Sequence, residues 1–201
     1  MSTDLLDSAN LKQKIREQSN TNRNNQENKD GLSREIVARC MALPEYQKAT
    51  TVLFYLDVRS EVRTRHDLAN ALASGKKIVV PYCVDGELEL FHLTSPDELS
   101  VGMYRILEPK AELRTIPAHH VDVKEIDLII VPGVAFDREG GRTGHGKGYY
   151  DKLLEHALPE TPLVALSFEC QLFDKIPMQE HDVFMDKVVT EKMVYQGRGR
   201  N

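Results

Sequence analysis

Asp127-Leu-Ile-Ile-Val-Pro-Gly-Val-Ala-Phe-Asp-Arg-Glu-Gly-Gly-Arg-Thr-Gly-His-Gly-Lys-Gly-Tyr-Tyr-Asp-Lys-Leu-Leu-Glu-His-Ala157 is the stretch that decides the fold. The run Leu128 to Val131 is short, continuous and apolar, as a buried strand requires, and Tyr149 to Ala157 carries helical periodicity. Between them, from Gly133 to Gly148, lie six of the chain's twelve glycines. Glycine reaches positive φ without steric cost, so glycines at alternate positions let successive backbone N–H groups turn inward around an anion. Arg142 and Lys147 add full positive charges there. The order strand, loop, helix puts the loop at a strand's carboxyl end, where open α/β sheets bind their ligands.

Working outward, Thr51 to Leu56, Leu163 to Phe168 and Lys187 to Thr190 read as further strands, being short and rich in β-branched or aromatic residues. Lys77 to Val84 and Glu87 to His92 flank Asp85-Gly86, a strong hairpin signal, so this pair is expected to be antiparallel. Helices are expected at 4–18, at 33–43 with Ser33 as its cap and Pro44 as its stop, and at 65–74 behind a Thr64/Asp67 capping box. Strands alternating with helices predict an α/β fold with a mostly parallel sheet and one antiparallel hairpin. A single domain spanning 1–201 is expected, with 19–31 (SNTNRNNQENKDG) a polar, flexible linker after the first helix.

A net charge of −5 gives no general attraction to nucleic acid, so a basic site must be local and its partner a small anion. Three widely spaced cysteines, with no CxxC pair, argue against a disulfide framework and a zinc cluster. No apolar run approaches the ~18 residues of a membrane span, and the first residues lack a signal-peptide pattern. The expectation is a cytoplasmic protein with no nucleic-acid or membrane partner, acting as a monomer.

The loop spacing is Gly144-x-Gly146-x-Gly148. It is neither GxxxxGK[ST] nor GxGxxG, so neither a Walker ATPase nor a Rossmann dehydrogenase is supported. What survives is physical: backbone N–H groups, a helix N-terminus and two cations converging on one anion.

The run Pro132-Gly-x-Ala-Phe-Asp-Arg-x-Gly-x-Arg142-x-Gly-x-Gly-x-Gly-Tyr-Tyr-Asp151 resembles the signature of the 5-formyltetrahydrofolate cyclo-ligases, also called methenyltetrahydrofolate synthetases. The likeness extends to Lys12-x-x-Ile-Arg16, Ala42-Leu-Pro-Glu-Tyr, Glu61-Val, Gly75-Lys-x-Ile-x-x-Pro81, Ile106-Leu-Glu-Pro109 and His181-Asp182. It implies a three-layer α/β/α sandwich of the CoA-transferase-like kind. It also implies an ATP- and magnesium-dependent enzyme that turns 5-formyltetrahydrofolate into 5,10-methenyltetrahydrofolate, with release of ADP and phosphate. A small-molecule kinase, or a non-catalytic folate- or nucleotide-binding relative, would use the same charged loop.

Carried onto this sequence, the resemblance makes Arg142 and Lys147 the catalytic cations. It gives ATP to Lys12, Arg16, Arg142, Gly144, His145, Gly146, Lys147, Gly148, Tyr149 and Tyr150. The folate falls to Leu56, Glu61, His145, Lys147 and Tyr149, and magnesium to Asp151 and Asp186. The residue chemistry agrees where it can speak. Arginine suits forked contact with phosphoryl oxygens and lysine a point charge. A carboxylate such as Glu61 accepts from a pterin's N–H groups. Lys12 and Arg16, four apart on one helix face, repel by a few tenths of a kcal/mol unless an anion lies between them. His145 occupies a slot that varies within the family, so its role is the open point of the loop.

Overall fold

The computed structural model describes residues 3–102, 106–180 and 182–200, and His181 of the motif above lies outside them. Five helices are present: α1 (Thr3–Asn25), α2 (Lys29–Met41), α3 (Pro44–Lys48), α4 (Leu68–Ala73) and α5 (Tyr149–Glu155). The strands are β1 (Thr51–Leu53), β2 (Lys77–Val84), β3 (Glu87–Leu93), β4 (Leu99–Val101), β5 (Leu107–Pro109) and β6 (Leu128–Val131). They continue with β7 (Ala135–Asp137), β8 (Arg142–Thr143), β9 (Leu163–Leu166), β10 (Leu172–Phe173), β11 (Lys187–Val189) and β12 (Val194–Gln196).

Seven strands form the main sheet in the order β12-β11-β9-β6-β1-β2-β3. The five inner strands run parallel, and the edge strands β3 and β12 are antiparallel. Alternation along the inner strands sorts the core into two layers. Val52, Ile78, Val80, Leu128, Ile130, Val164 and Leu166 face Ile36, Val37 and Cys40 of α2. Leu53, Val79, Ile129, Val131, Leu163 and Ala165 face Leu153 and Leu154 of α5. The expected three-layer sandwich follows, since strands covered on both faces must be apolar throughout. The hairpin is present too, with Asp85 at φ 49 and Gly86 at φ 86 supplying the two positive φ angles its turn requires.

The stretch expected as a linker is helix. α1 continues through Asn25, and α2 begins at Lys29 after Asn28, which breaks the chain direction in the left-handed region. Polar contacts stabilise this end of α1 where an apolar stripe is missing. Ser19 Oγ donates to the Val134 carbonyl at 2.5 Å, Asn22 Nδ2 donates to the Cys170 carbonyl at 3.0 Å, and Arg23 is 2% exposed. Ser33 is inside α2 rather than at its cap, buried, and accepts the Arg63 N–H at 3.0 Å. The Thr64/Asp67 box does not form; Thr64 Oγ1 donates instead to the Tyr55 carbonyl, and a 3₁₀ turn over Arg65–Asp67 leads into α4.

Candidate active site

β6 ends at Val131, and the chain then runs through β7 and β8, which β10 joins later in the sequence to make a small second sheet, before reaching the glycine loop. Here the glycine cluster divides by role. Gly140 and Gly141 serve the β7–β8 turn, where Asp137 Oδ1 accepts the N–H groups of Glu139 and Gly141 at 2.9 and 2.8 Å. Gly144, Gly146 and Gly148 front a cavity of about 290 Å³, the latter two at φ 84 and 71, angles that a side chain would strain. The helix that follows is only seven residues long and has no side-chain cap at Gly148. Its dipole is therefore a minor contribution, and the loop's own N–H groups with its cations must carry any anion.

Arg142, on β8, is 5% exposed. Its Nη1 donates to the Pro132 carbonyl at 3.3 Å, Nη2 pairs with Asp151 Oδ1, and Nε is buried without a partner. Tyr150 Oη is likewise buried and unpartnered, and burial pushes the phenol far above its ordinary pKa, so it stays a protonated donor. Two unsatisfied donors in one cavity wall indicate a ligand, since native structures seldom leave such groups unpaired. Lys147 is exposed and makes no hydrogen bond or ion pair among the described residues.

The opposite wall comes from the turn after β1, the strand next to β6. Tyr55, Leu56 and Glu61 line the cavity there, and Glu61 is 6% exposed. The Val58 N–H donates to Glu61 Oε2 at 3.0 Å, which orients the carboxylate, while Oε1 stands 3.4 Å from His145 Nε2. His145 thus bridges the glycine loop and the acidic wall. Tyr149, Tyr150 and Asp151 complete the lining.

α1 lies against the back of the loop. Arg16 Nε donates to the Gly144 carbonyl at 2.8 Å. The Lys12 ammonium, one turn earlier on the same helix, is buried in an ion pair with Asp182. Sequence reasoning gave Asp182 no role, and a partner 170 positions away leaves no signal in spacing.

Asp186 is not with Asp151. It precedes β11 at the amino edge of the sheet, where its Oδ2 accepts the Leu163 N–H at 2.7 Å. β9 has four residues, so its two edges are roughly 10 Å apart at about 3.3 Å per residue, and the glycine loop is at the far one. Asp127 does the same for β1, accepting the Thr50 and Thr51 N–H groups at 2.9 Å. Asp186→Ala is therefore expected to leave turnover and its magnesium dependence unchanged while lowering stability by about 1 kcal/mol, the net worth of an ordinary hydrogen bond. Parallel magnesium titrations and thermal melts of the two proteins check this; a right-shifted titration would restore Asp186 to the metal.

No group of three or more His, Cys, Asp or Glu side chains among the described residues could cage a metal. Asp151 alone fits magnesium, which keeps several waters and takes one or two carboxylates together with a nucleotide's phosphates. The hairpin and its neighbour β5 also contribute Tyr82, Cys83, Leu88 and Leu107 to the cavity. The sequence marks the two hairpin strands, and Ile106 to Pro109 only as part of the family likeness, and gives neither a place in the site.

A parallel sheet covered on both faces, with a cationic glycine loop facing a buried carboxylate across one cavity, is an α/β enzyme fold with its candidate site at the carboxyl end of the sheet. Residues 8–191 match the model of the 5-formyltetrahydrofolate cyclo-ligase family, and the chain belongs to that family. It is 29% identical to the Escherichia coli 5-formyltetrahydrofolate cyclo-ligase over 174 residues, covering 85% of this chain and 93% of that one. With the mouse 5-formyltetrahydrofolate cyclo-ligase it shares 30% over 169 residues, covering 78% and 80%. The solution structure of Aquifex aeolicus 5,10-methenyltetrahydrofolate synthetase superposes with a TM-score of 0.79 at 32% identity, covering 95% of each chain. No described helix is long and apolar enough to cross a membrane.

Proposed function

We propose that this cavity carries out the reaction for which the family is named, converting 5-formyltetrahydrofolate to 5,10-methenyltetrahydrofolate as ATP becomes ADP and phosphate. The supporting observation is the cavity's division: a buried carboxylate on the β1 side, and on the β8–α5 side two cations with two unpartnered buried donors.

An N-formyl carbon is a poor electrophile because nitrogen donates into its carbonyl. Ring closure therefore needs the formyl oxygen turned into a leaving group. The formyl oxygen attacks the γ-phosphorus and the bond to ADP breaks. The second folate nitrogen then adds to the activated carbon and gives up its proton, and phosphate departs with the original oxygen. The protein's share is positioning and charge neutralisation. Glu61, held by the Val58 N–H, accepts from the pterin's N–H groups, and Leu56 and Tyr149 give the flat ring an apolar seat. The N–H groups of Gly144 to Gly148 and Lys147 surround the phosphoryl oxygens. Arg142 turns its free Nε toward the same region, and Tyr150 donates its hydroxyl hydrogen. Asp151 would hold magnesium, which lowers the repulsion among phosphate oxygens.

Mixing the protein with 5-formyltetrahydrofolate, ATP and magnesium should produce the near-ultraviolet absorbance of the methenyl product together with free phosphate. Folded protein that gives no rise would defeat the assignment. ADP formed with a stable phosphorylated product instead would mean a kinase.

A further inference from the structure

Arg23 leads the fully buried side chains in size and is 2% exposed, yet among the described residues it makes no ion pair. Its Nε donates to Ser60 Oγ at 3.0 Å, Nη2 to Asn20 Oδ1 at 3.2 Å and Nη1 to the Gly133 carbonyl at 3.4 Å. Two of these acceptors belong to the cavity's frame. Ser60 immediately precedes Glu61, and Gly133 lines the cavity beside Pro132, whose carbonyl Arg142 holds. Burial pulls the guanidinium's pKa down. Glu61 is the strongest of the groups that pull it back, ahead of Tyr55 and Cys170, while Arg59 acts with burial. A buried arginine served only by neutral acceptors is costly, and Glu61, next in the chain to Ser60, is the carboxylate that acts on it most strongly.

We propose that Arg23 is a positioning residue for Glu61: by bonding Ser60 and the Gly133 carbonyl it ties the turn after β1 to the turn after β6, and it sets a positive charge behind the carboxylate that faces the cavity. The proposal rests on the assignment of Glu61 to the folate. It also explains why a polar helix end, without apolar residues to pack, is buried at all. Arg16, seven residues earlier on the same helix, keeps its own bond to Gly144, so loss of Arg23 is confined to the folate side.

The test is calorimetric binding of 5-formyltetrahydrofolate, and separately of a non-hydrolysable ATP analogue, to wild type, Arg23→Met, Arg23→Lys, Glu61→Gln and the Arg23→Met/Glu61→Gln double variant. Arg23→Met should weaken folate binding by about tenfold or more, as expected for loss of charge-assisted hydrogen bonds, with nucleotide binding within about twofold. Arg23→Lys keeps the charge but cannot reach three acceptors, so it should recover part of the loss; it carries the test if the methionine variant fails to fold. The double variant should bind folate no more weakly than Glu61→Gln alone, because the two residues act through one carboxylate. Multiplying penalties, equal loss of both ligands, or unchanged folate binding in a variant of a folate-binding wild type would each overturn the role of Arg23. Wild-type protein that binds no folate overturns the site assignment itself.

Discussion

Lys147→Ala is expected to lower turnover by roughly two to three orders of magnitude, the usual cost of removing one preorganised contact to developing charge, without lowering the unfolding temperature. The two halves of that result come from separate facts. The Lys147 side chain is exposed and unbonded among the described residues, so its truncation should change stability by less than about 0.5 kcal/mol. It also lines the cavity together with Gly144, Gly146 and Gly148, the loop proposed above to surround the phosphoryl oxygens. Arg142→Ala should cost at least as much in turnover but also destabilise the fold by about 1–3 kcal/mol, because Asp151 and the Pro132 carbonyl lose their donor. Steady-state kinetics beside thermal melts separate the two cases. Wild-type kcat in both variants would remove the loop cations from the chemistry.

The second large effect is on substrate affinity. Glu61→Gln keeps the size and one acceptor of the side chain but removes the charge, so the folate KM should rise by roughly 10- to 150-fold, equivalent to about 1.5–3 kcal/mol for hydrogen bonds to an ionised group. The ATP KM should stay within about twofold, since Glu61 is oriented by the Val58 N–H on the β1 side of the cavity and reaches the glycine loop only through the 3.4 Å contact with His145. A matched rise in both constants would mean that Glu61 holds the glycine loop through His145 rather than holding the folate.

The parts of the molecule legible from sequence are those whose cause is local. The apolar run before Pro132 and the left-handed demand at Asp85-Gly86 each announce a backbone conformation by residue type and are found, and of the alternate glycines Gly146 and Gly148 take positive φ while Gly144 does not. The parts that were not legible depend on partners far along the chain. The Asn-rich stretch looks solvated until the carbonyls of Gly133, Val134 and Cys170 are brought beside it. Nothing near Lys12 in the sequence announces its ion pair with Asp182. Asp186 resembles a metal ligand by its neighbours in sequence, but the parallel order of β9 and β11 turns it to the sheet's other edge, where a backbone N–H needs it. Polar residues carry no periodicity that reveals which of them will be buried.

The adjacency of β1 and β6 has a mechanical meaning. Neighbouring strands stand about 4.8 Å apart, and the Glu61 turn and the segment leading to the glycine loop rise from that one pair. For ligands seated on these two turns, the separation between their binding groups is a lattice spacing of the sheet rather than a hinge coordinate. Two reactants seated there would be brought within reach of each other by the spacing of one strand pair.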